Sequence, residues 1–219
     1  MFGVHEYKCI KGCEGLQGEN ILDYKKELIF IKNVPFSCIA ERIFYTRDMK
    51  KIVQMGTHVL REQAQHIEPS KIKSQEIQKI ISEMHESLET QNDGVALAAP
   101  QIGESYQIFI VAPFIFEEPE KEHLVYINPV ITKRSKKTQW MHEGCLSCRW
   151  KVGEVKRSLI ATVHAYDVNG NAFTQSADGL LAHIFQHEIE HLQGILFIDN
   201  ARKLRDMSQE EINDVLNGR

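Results

Sequence analysis

Apolar positions recur at helical spacing in one stretch of the chain and at β-like spacing in several others. Ile77, Ile80, Ile81, Met84 and Leu88 mark one face of a helix, with Ser74 placed to cap it and Asn92-Asp-Gly94 to end it. The next run, Val95-Ala-Leu-Ala-Ala-Pro-Gln-Ile-Gly103, is rich in small residues and predicts a loop beside a ligand, where other backbone can come close. Strands are predicted over residues 106–112 and 124–131, the second with an edge or bulge at Pro129. Two more β-like runs, 155–167 and 172–175, are joined through Asn169-Gly170, a dipeptide suited to a tight hairpin. A second helix starts near Asp178-Gly179, carries Leu180, Leu181, Ile184, His187 and His191 along one side, and stops at Gly194. Ser208-Gln-Glu-Glu211 has the form of a capping box opening a short final helix. Strands first and the principal helix later predict an α+β fold, with antiparallel or mixed β-sheets packed around a central C-terminal motif helix.

Residues 1–48 show no sustained period, and at Met49 the text changes character. The expected organisation is an N-terminal extension of unassigned role followed by one functional domain over 49–219. A chain of 219 residues is long enough for one good core. Hydrophobic residues at 42% and charged residues at 26% are ordinary for a globular protein and exclude disordered and fibrous classes.

A net charge of -4 argues against nucleic-acid binding through phosphate contacts. The short basic cluster Lys133-Arg-Ser-Lys-Lys137 predicts a solvated hairpin tip instead. No apolar stretch is long enough to cross a bilayer, so no membrane role and a cytoplasmic location are expected. Five cysteines, Cys9, Cys13, Cys38, Cys145 and Cys148, imply free or metal-bound thiols and no disulfide framework.

The chemistry concentrates in the second helix. His187 and His191, four residues apart, present both imidazoles on one helical face, and Glu188 between them can take a proton from a metal-bound water. This is half of a metal site. A third histidine six residues further on is excluded, because that position is Phe197. Two candidates for the third ligand stay open on spacing: Glu210 or Glu211, as in thermolysin-like metallopeptidases, and Cys145 in Glu143-Gly-Cys-Leu-Ser147. Glu211 is also wanted by its capping box. Cys148 makes a Cys-x-x-Cys pattern with Cys145 and is expected to be a bystander.

Three stretches, in order, carry a resemblance. Gly94-Val-Ala-Leu-Ala-Ala-Pro-Gln101, Glu143-Gly-Cys-Leu-Ser147 and Gln186-His-Glu-Ile-Glu-His191 resemble the three signature motifs of the peptide deformylases, and the likeness extends from about Met49 to Asp199. It implies that Cys145, His187 and His191 bind one divalent ion, usually Fe2+ with Zn2+ or Ni2+ as substitutes. It implies further that Glu188 is the general acid/base and that Gln101 with the Leu146 N–H holds the oxyanion. The substrate would be an N-formylmethionyl nascent peptide, met near the ribosome, and formate the product. Gly94, Val95, Ala96, Met141, Glu143, Gly144, Leu180 and Ile184 are the expected substrate-side residues, four of them (Val95, Met141, Leu180, Ile184) as a methionine pocket. Glu143 is also placed to orient a ligand. Ala96 stands where the family usually has glycine, and Glu190 where it usually has aspartate. His183 is expected in the pocket wall, and Arg157 either at the substrate or in a surface ion pair. A catalytically silent metal-binding homologue is the remaining alternative.

Overall fold

The computed structural model describes residues 50–119 and 124–217; the expected extension over 1–48, with Cys9, Cys13 and Cys38, lies outside them. Ser74 Oγ accepts the Ile77 N–H at 3.4 Å and opens α1 (Gln75–Glu89). The five apolar positions named for that helix are all buried.

Two antiparallel sheets follow. The first contains β1 (Ala96–Ala98), β2 (Ile108–Val111), β3 (Val125–Arg134), β6 (Ile160–Tyr166) and β7 (Ala172–Asp178), in spatial order β1-β2-β3-β6-β7. The second contains β4 (Thr138–Gly144), β5 (Lys151–Ser158) and β8 (Arg202–Asp206), with β5 in the middle. The principal helix, α2 (Gly179–Leu192), packs on β1, β3, β6 and β7. Two short helices close the described chain: α3 (Phe197–Asn200) and α4 (Gln209–Leu216).

Alternation along β2 assigns its side chains to two layers. Ile108 and Ile110 pack with the apolar face of α1, and Phe109 and Val111 pack with Ile184, Phe185 and Ile189 of α2. A strand covered on both faces has no polar side, which is why Ile108-Phe-Ile-Val111 is an unbroken apolar run. Phe109 stacks on Tyr126 with ring centroids 4.4 Å apart, and Phe185 meets Tyr126 edge-on at 5.2 Å. Ala96 and Ala98 belong to the same layer. Their small side chains keep β1 close to α2, so the methyl group of Ala96 is mostly buried between sheet and helix.

The C-terminal end of the motif helix is set by backbone. Gly194 has φ +75 just past α2, and a Cβ there would lie 2.6 Å from the Arg61 carbonyl oxygen. Two residues earlier the Leu192 carbonyl, one of those a helix end leaves unpaired, accepts the Ala64 N–H at 2.9 Å. At the far end of the chain Ser208 and Glu211 form the capping box of α4: Ser208 N–H donates to Glu211 Oε2 at 2.7 Å and Glu211 N–H to Ser208 Oγ at 3.2 Å.

Several expectations need correction. The run 155–167 is not one strand: the chain turns near Leu159 and passes from β5 in one sheet to β6 in the other. Apolar alternation carries on through that corner, so the pattern hides it. The basic cluster at Lys133–Lys137 is a crossover, because β3 and β4 lie in different sheets and are not a hairpin pair. The β6–β7 hairpin is real, but its turn is longer than two residues, with Gly170 N–H bonded to Asp167 O and Asp167 N–H to Asn171 O. Pro129 sits at a register shift of β3 against β6, as the bulge reading required, with Asn128 at φ 50 beside it. β1, β4 and β8 were not legible; β8 is exposed throughout and has no apolar alternation to show.

The substitution Gly194→Ala combines a left-handed backbone with a backbone clash. It is expected to lower stability by about 2 kcal/mol or more, read as a lower urea midpoint with unchanged slope.

Candidate metal centre and cavity

One helical turn separates His187 from His191 on α2, and their ring centroids lie 4.9 Å apart. β4 ends at Gly144 and delivers Cys145 to the same place from the second sheet. Cys145 Sγ is 3.1 Å from His191 Nε2, and the sulfur and one nitrogen of each ring all lie within 4.8 Å of one another. Cys145 and His191, 46 residues apart in sequence, are thus brought together in space.

Gln101 follows β1 on a short 3-10 turn. Its side-chain Oε1 accepts the Ala98 N–H at 2.8 Å, which leaves Nε2 to point at Cys145 Sγ, 3.5 Å away. The amide donor therefore faces the sulfur and nitrogen cluster. The Ser147 N–H also approaches that sulfur, at 3.4 Å. Gln101, Cys145 and His187 line a cavity of about 330 Å³ together with Val95, Ala96, Leu146, Leu180, Ile184 and Glu188.

Glu143 organises the wall behind the cluster. Its carboxylate accepts from Arg157 Nε at 2.6 Å and Nη2 at 3.1 Å, and lies 2.6 Å from His183 Nε2 and 2.9 Å from His187 Nδ1. Arg157 also donates through Nη1 to Glu190 Oε1 at 2.5 Å. The side chains of Glu143 and Arg157 are 1% and 4% exposed, so this is a buried, multiply hydrogen-bonded ion pair. Arg157 is thus neither a substrate contact nor a surface pair. Glu190 is occupied by Arg157, which explains how its longer side chain is accommodated.

Burial alone would push the Glu143 carboxyl up, but hydrogen bonds from His183, His187 and Arg157 outweigh it and hold the group far below the usual carboxylate range. For His187 burial disfavours the charged ring, yet the Glu143 hydrogen bond and the nearby Glu188 charge leave its pKa raised. Burial pushes Glu188 up to about 7, despite the opposing pull of His187. Burial also drives His191 well below its ordinary value.

The residues fit a divalent cation. One sulfur and two imidazoles are a donor set for zinc or iron, and Glu143 holds Nδ1 of His187 so that Nε2 is left for an ion. Glu188 Oε2 is buried with no hydrogen-bond partner among the described residues, an orphaned acceptor beside the donor set. Among the described residues neither Glu210 nor Glu211 joins the group of Cys145, His187 and His191, and Glu211 instead closes its capping box and pairs with Arg205 at 2.7 Å. Together with the position of Cys145, this removes the basis of the thermolysin-like reading.

Of the other expected residues, Gly144 and His183 also line the cavity, whereas Gly94 and Met141 do not. Gly94 packs against the side chains of Leu88, Gln91 and Leu146, where a Cβ would meet Leu88 Cδ1 at 2.6 Å. Met141 is paired with Val155 in the second sheet. Sequence reasoning missed the part of the wall made by Asp93, Arg149, Trp150, Met207 and Val215. Arg149 donates to both carboxylate oxygens of Asp93, at 2.5 and 3.0 Å, and so ties the loop before β1 to the segment after Cys145. No motif marks that pair.

The family model described as polypeptide deformylase matches residues 49–207. The chain belongs to the polypeptide deformylase family. A peptide deformylase of Desulforudis audaxviator is 38% identical over 69% of this chain and 92% of its own length. A second, from Buchnera aphidicola, is 40% identical over 69% of this chain and 97% of its own. Among solved structures, the peptide deformylase of Thermotoga maritima superposes with a TM-score of 0.62 at 32% identity, covering 70% of this chain and 98% of that one. The three-motif resemblance and the α+β expectation are borne out. Enzymes of this family are metal-dependent hydrolases that remove the N-formyl group from nascent peptides.

Removing Arg157 would leave the Glu143 charge buried with imidazole partners alone. Arg157→Ala is expected to lower unfolding free energy by about 3 kcal/mol and to weaken metal affinity at least ~10-fold, measured by urea titration and by competition with a chromogenic chelator.

Proposed function

We propose that this chain hydrolyses the formyl amide of N-formylmethionyl peptides in the cavity between α2 and β4, with Cys145, His187 and His191 as ligands of a ferrous ion. The convergence of one thiol and two imidazoles within 4.8 Å beside a buried, unpartnered carboxylate oxygen carries the reading. When bound, the ion, for which zinc or nickel can substitute, supplies the Lewis acidity that makes a water nucleophilic at neutral pH.

The remaining steps belong to the protein. Glu188, whose pKa of about 7 suits both directions of transfer, takes the proton of the attacking water and returns it to the leaving amine nitrogen. The Gln101 Nε2–H and the Leu146 N–H meet the negative charge growing on the formyl oxygen, donors of a kind worth ~3 kcal/mol apiece. Ala98 holds the Gln101 amide in the donating orientation, so that no reorganisation is needed when charge develops. Val95, Leu180 and Ile184 offer the apolar wall for a methionine side chain, with Ala96 and Gly144 beside them. A formyl carbon carries only hydrogen, and a tight cavity admits it while excluding bulkier acyl groups.

The catalytic unit on this reading is 49–219, with 1–48 an extension of separate role, and the enzyme works in the cytoplasm on chains leaving the ribosome. The net charge of -4 supports action on the peptide without direct nucleic-acid binding. Among the described residues, no helix is long and apolar enough to cross a membrane.

Formate release from formyl-Met-Ala-Ser, assayed anaerobically with iron restored, is the decisive measurement. Turnover is expected; a metal-loaded chain that releases no formate would instead be a silent metal-binding homologue. Glu188→Gln should keep the metal and lower kcat by roughly 10²- to 10⁴-fold. Cys145→Ser should lose both metal and activity, and survival of both would remove Cys145 from the ligand set.

A further inference from the structure

The Cys-x-x-Cys pattern is the one sequence motif that the deformylase reading leaves unused. Cys145 and Cys148 are both free thiols and both line the cavity. They stand at the two ends of a β-turn closed by the Cys148 N–H donating to the Cys145 carbonyl at 3.0 Å. A turn of this kind holds its end Cα atoms within about 7 Å, the range in which a disulfide can close without large backbone movement. The side chains also share surroundings: Cys148 is fully buried among Leu60, Val155, Leu196 and Phe197, and Cys145 packs against that same cluster. By residue exposure Cys145 is half-buried and Cys148 buried.

We propose that Cys145 and Cys148 form a peroxide-sensitive disulfide pair, with Cys145 the attacked thiol and Cys148 the resolving one. The cavity admits a molecule of hydrogen peroxide to Cys145. The Cys145 sulfur attacks one peroxide oxygen, the O–O bond breaks, and Cys145 becomes a sulfenic acid with release of one water. Cys148 sulfur then attacks the sulfenic sulfur, the S–O bond breaks, and a second water leaves with the Cys148 proton. Two thiols and one peroxide thus give one disulfide and two waters, the thiols losing two electrons and the peroxide gaining them.

The pairing stands on the turn alone. Its consequence rests on the ligand assignment above: a disulfide removes the sulfur from the metal's donor set, and an ion already held by Cys145 shields that sulfur. The pair also stops oxidation at a reversible stage, since a sulfenic acid without a resolving thiol proceeds to the irreversible sulfinic and sulfonic acids.

The test uses the full chain, nickel-loaded or stripped with a chelator, and exposed to hydrogen peroxide. Peptide mapping without reduction should find a Cys145–Cys148 link, about 2 Da lighter than the dithiol, formed at least ~10-fold faster in the stripped protein. The linked protein should fail to take up nickel and should regain both thiols and nickel binding after dithiothreitol. In Cys148→Ser the same treatment should drive Cys145 to sulfinic or sulfonic acid that dithiothreitol does not reverse. The proposal is overturned if the wild-type protein shows Cys145 as sulfinic acid with no link to Cys148, or if Cys145 links instead to Cys9, Cys13 or Cys38. A 145–148 link formed with nickel still bound would count against Cys145 as a ligand, and so separates failure of that assignment from failure of the pairing.

Discussion

The buried carboxylate of Glu143 is the group on which the site depends. It sits on β4 of the three-stranded sheet, yet three of its hydrogen bonds go to His183, His187 and Arg157, two of them on α2, which belongs to the five-stranded layer. An isolated carboxylate there would be driven to its neutral form by burial. Arg157, itself satisfied by Glu190, keeps it charged and in place. The same interaction therefore joins the two sheets, orients the first imidazole and fixes the segment that presents Cys145. Stability and chemistry share one hydrogen-bond network, which makes the loss of any member costly for both.

Around this network the packing sets distances. Small residues on β1 let the motif helix lie close to the sheet, and the turn after β1 brings the Gln101 amide to the sulfur of Cys145. Gly194 then lets the chain leave α2 where the Arg61–Glu62 backbone already fills the space. Ala96, which departs from the usual family pattern, makes sense in these terms. Its methyl group is mostly taken up between sheet and helix, although the residue still forms part of the cavity wall.

Much of this was legible from residues. The helical period of α1, its Ser74 cap, the capping box of α4, the bulge at Pro129 and the stop at Gly194 are local signals, carried by side chains that act within a few positions of themselves. The three motifs were legible through their resemblance to those of a known family, whereas the residues alone gave the two histidines and the glutamate and left the third ligand open. The corner at Leu159 was not, because alternation is blind to which sheet a strand joins. β8 was not, because an exposed edge strand of charged residues has no periodic signature.

By itself, then, the sequence determined the α+β class and the principal helix with its two histidines and glutamate, and the resemblance of its three motifs to one family added Cys145 and Gln101 as expected partners. Only the tertiary structure decided what lies between them. The role of Arg157 as a buried counter-ion, the exclusion of Met141 and Gly94 from the cavity, the Arg149–Asp93 tie and the neighbourhood of Cys148 all arise from pairs far apart in sequence or from the direction in which a side chain points. Such pairs are chosen by the sheet that each strand joins and by burial, and neither spacing nor composition along the chain carries that choice.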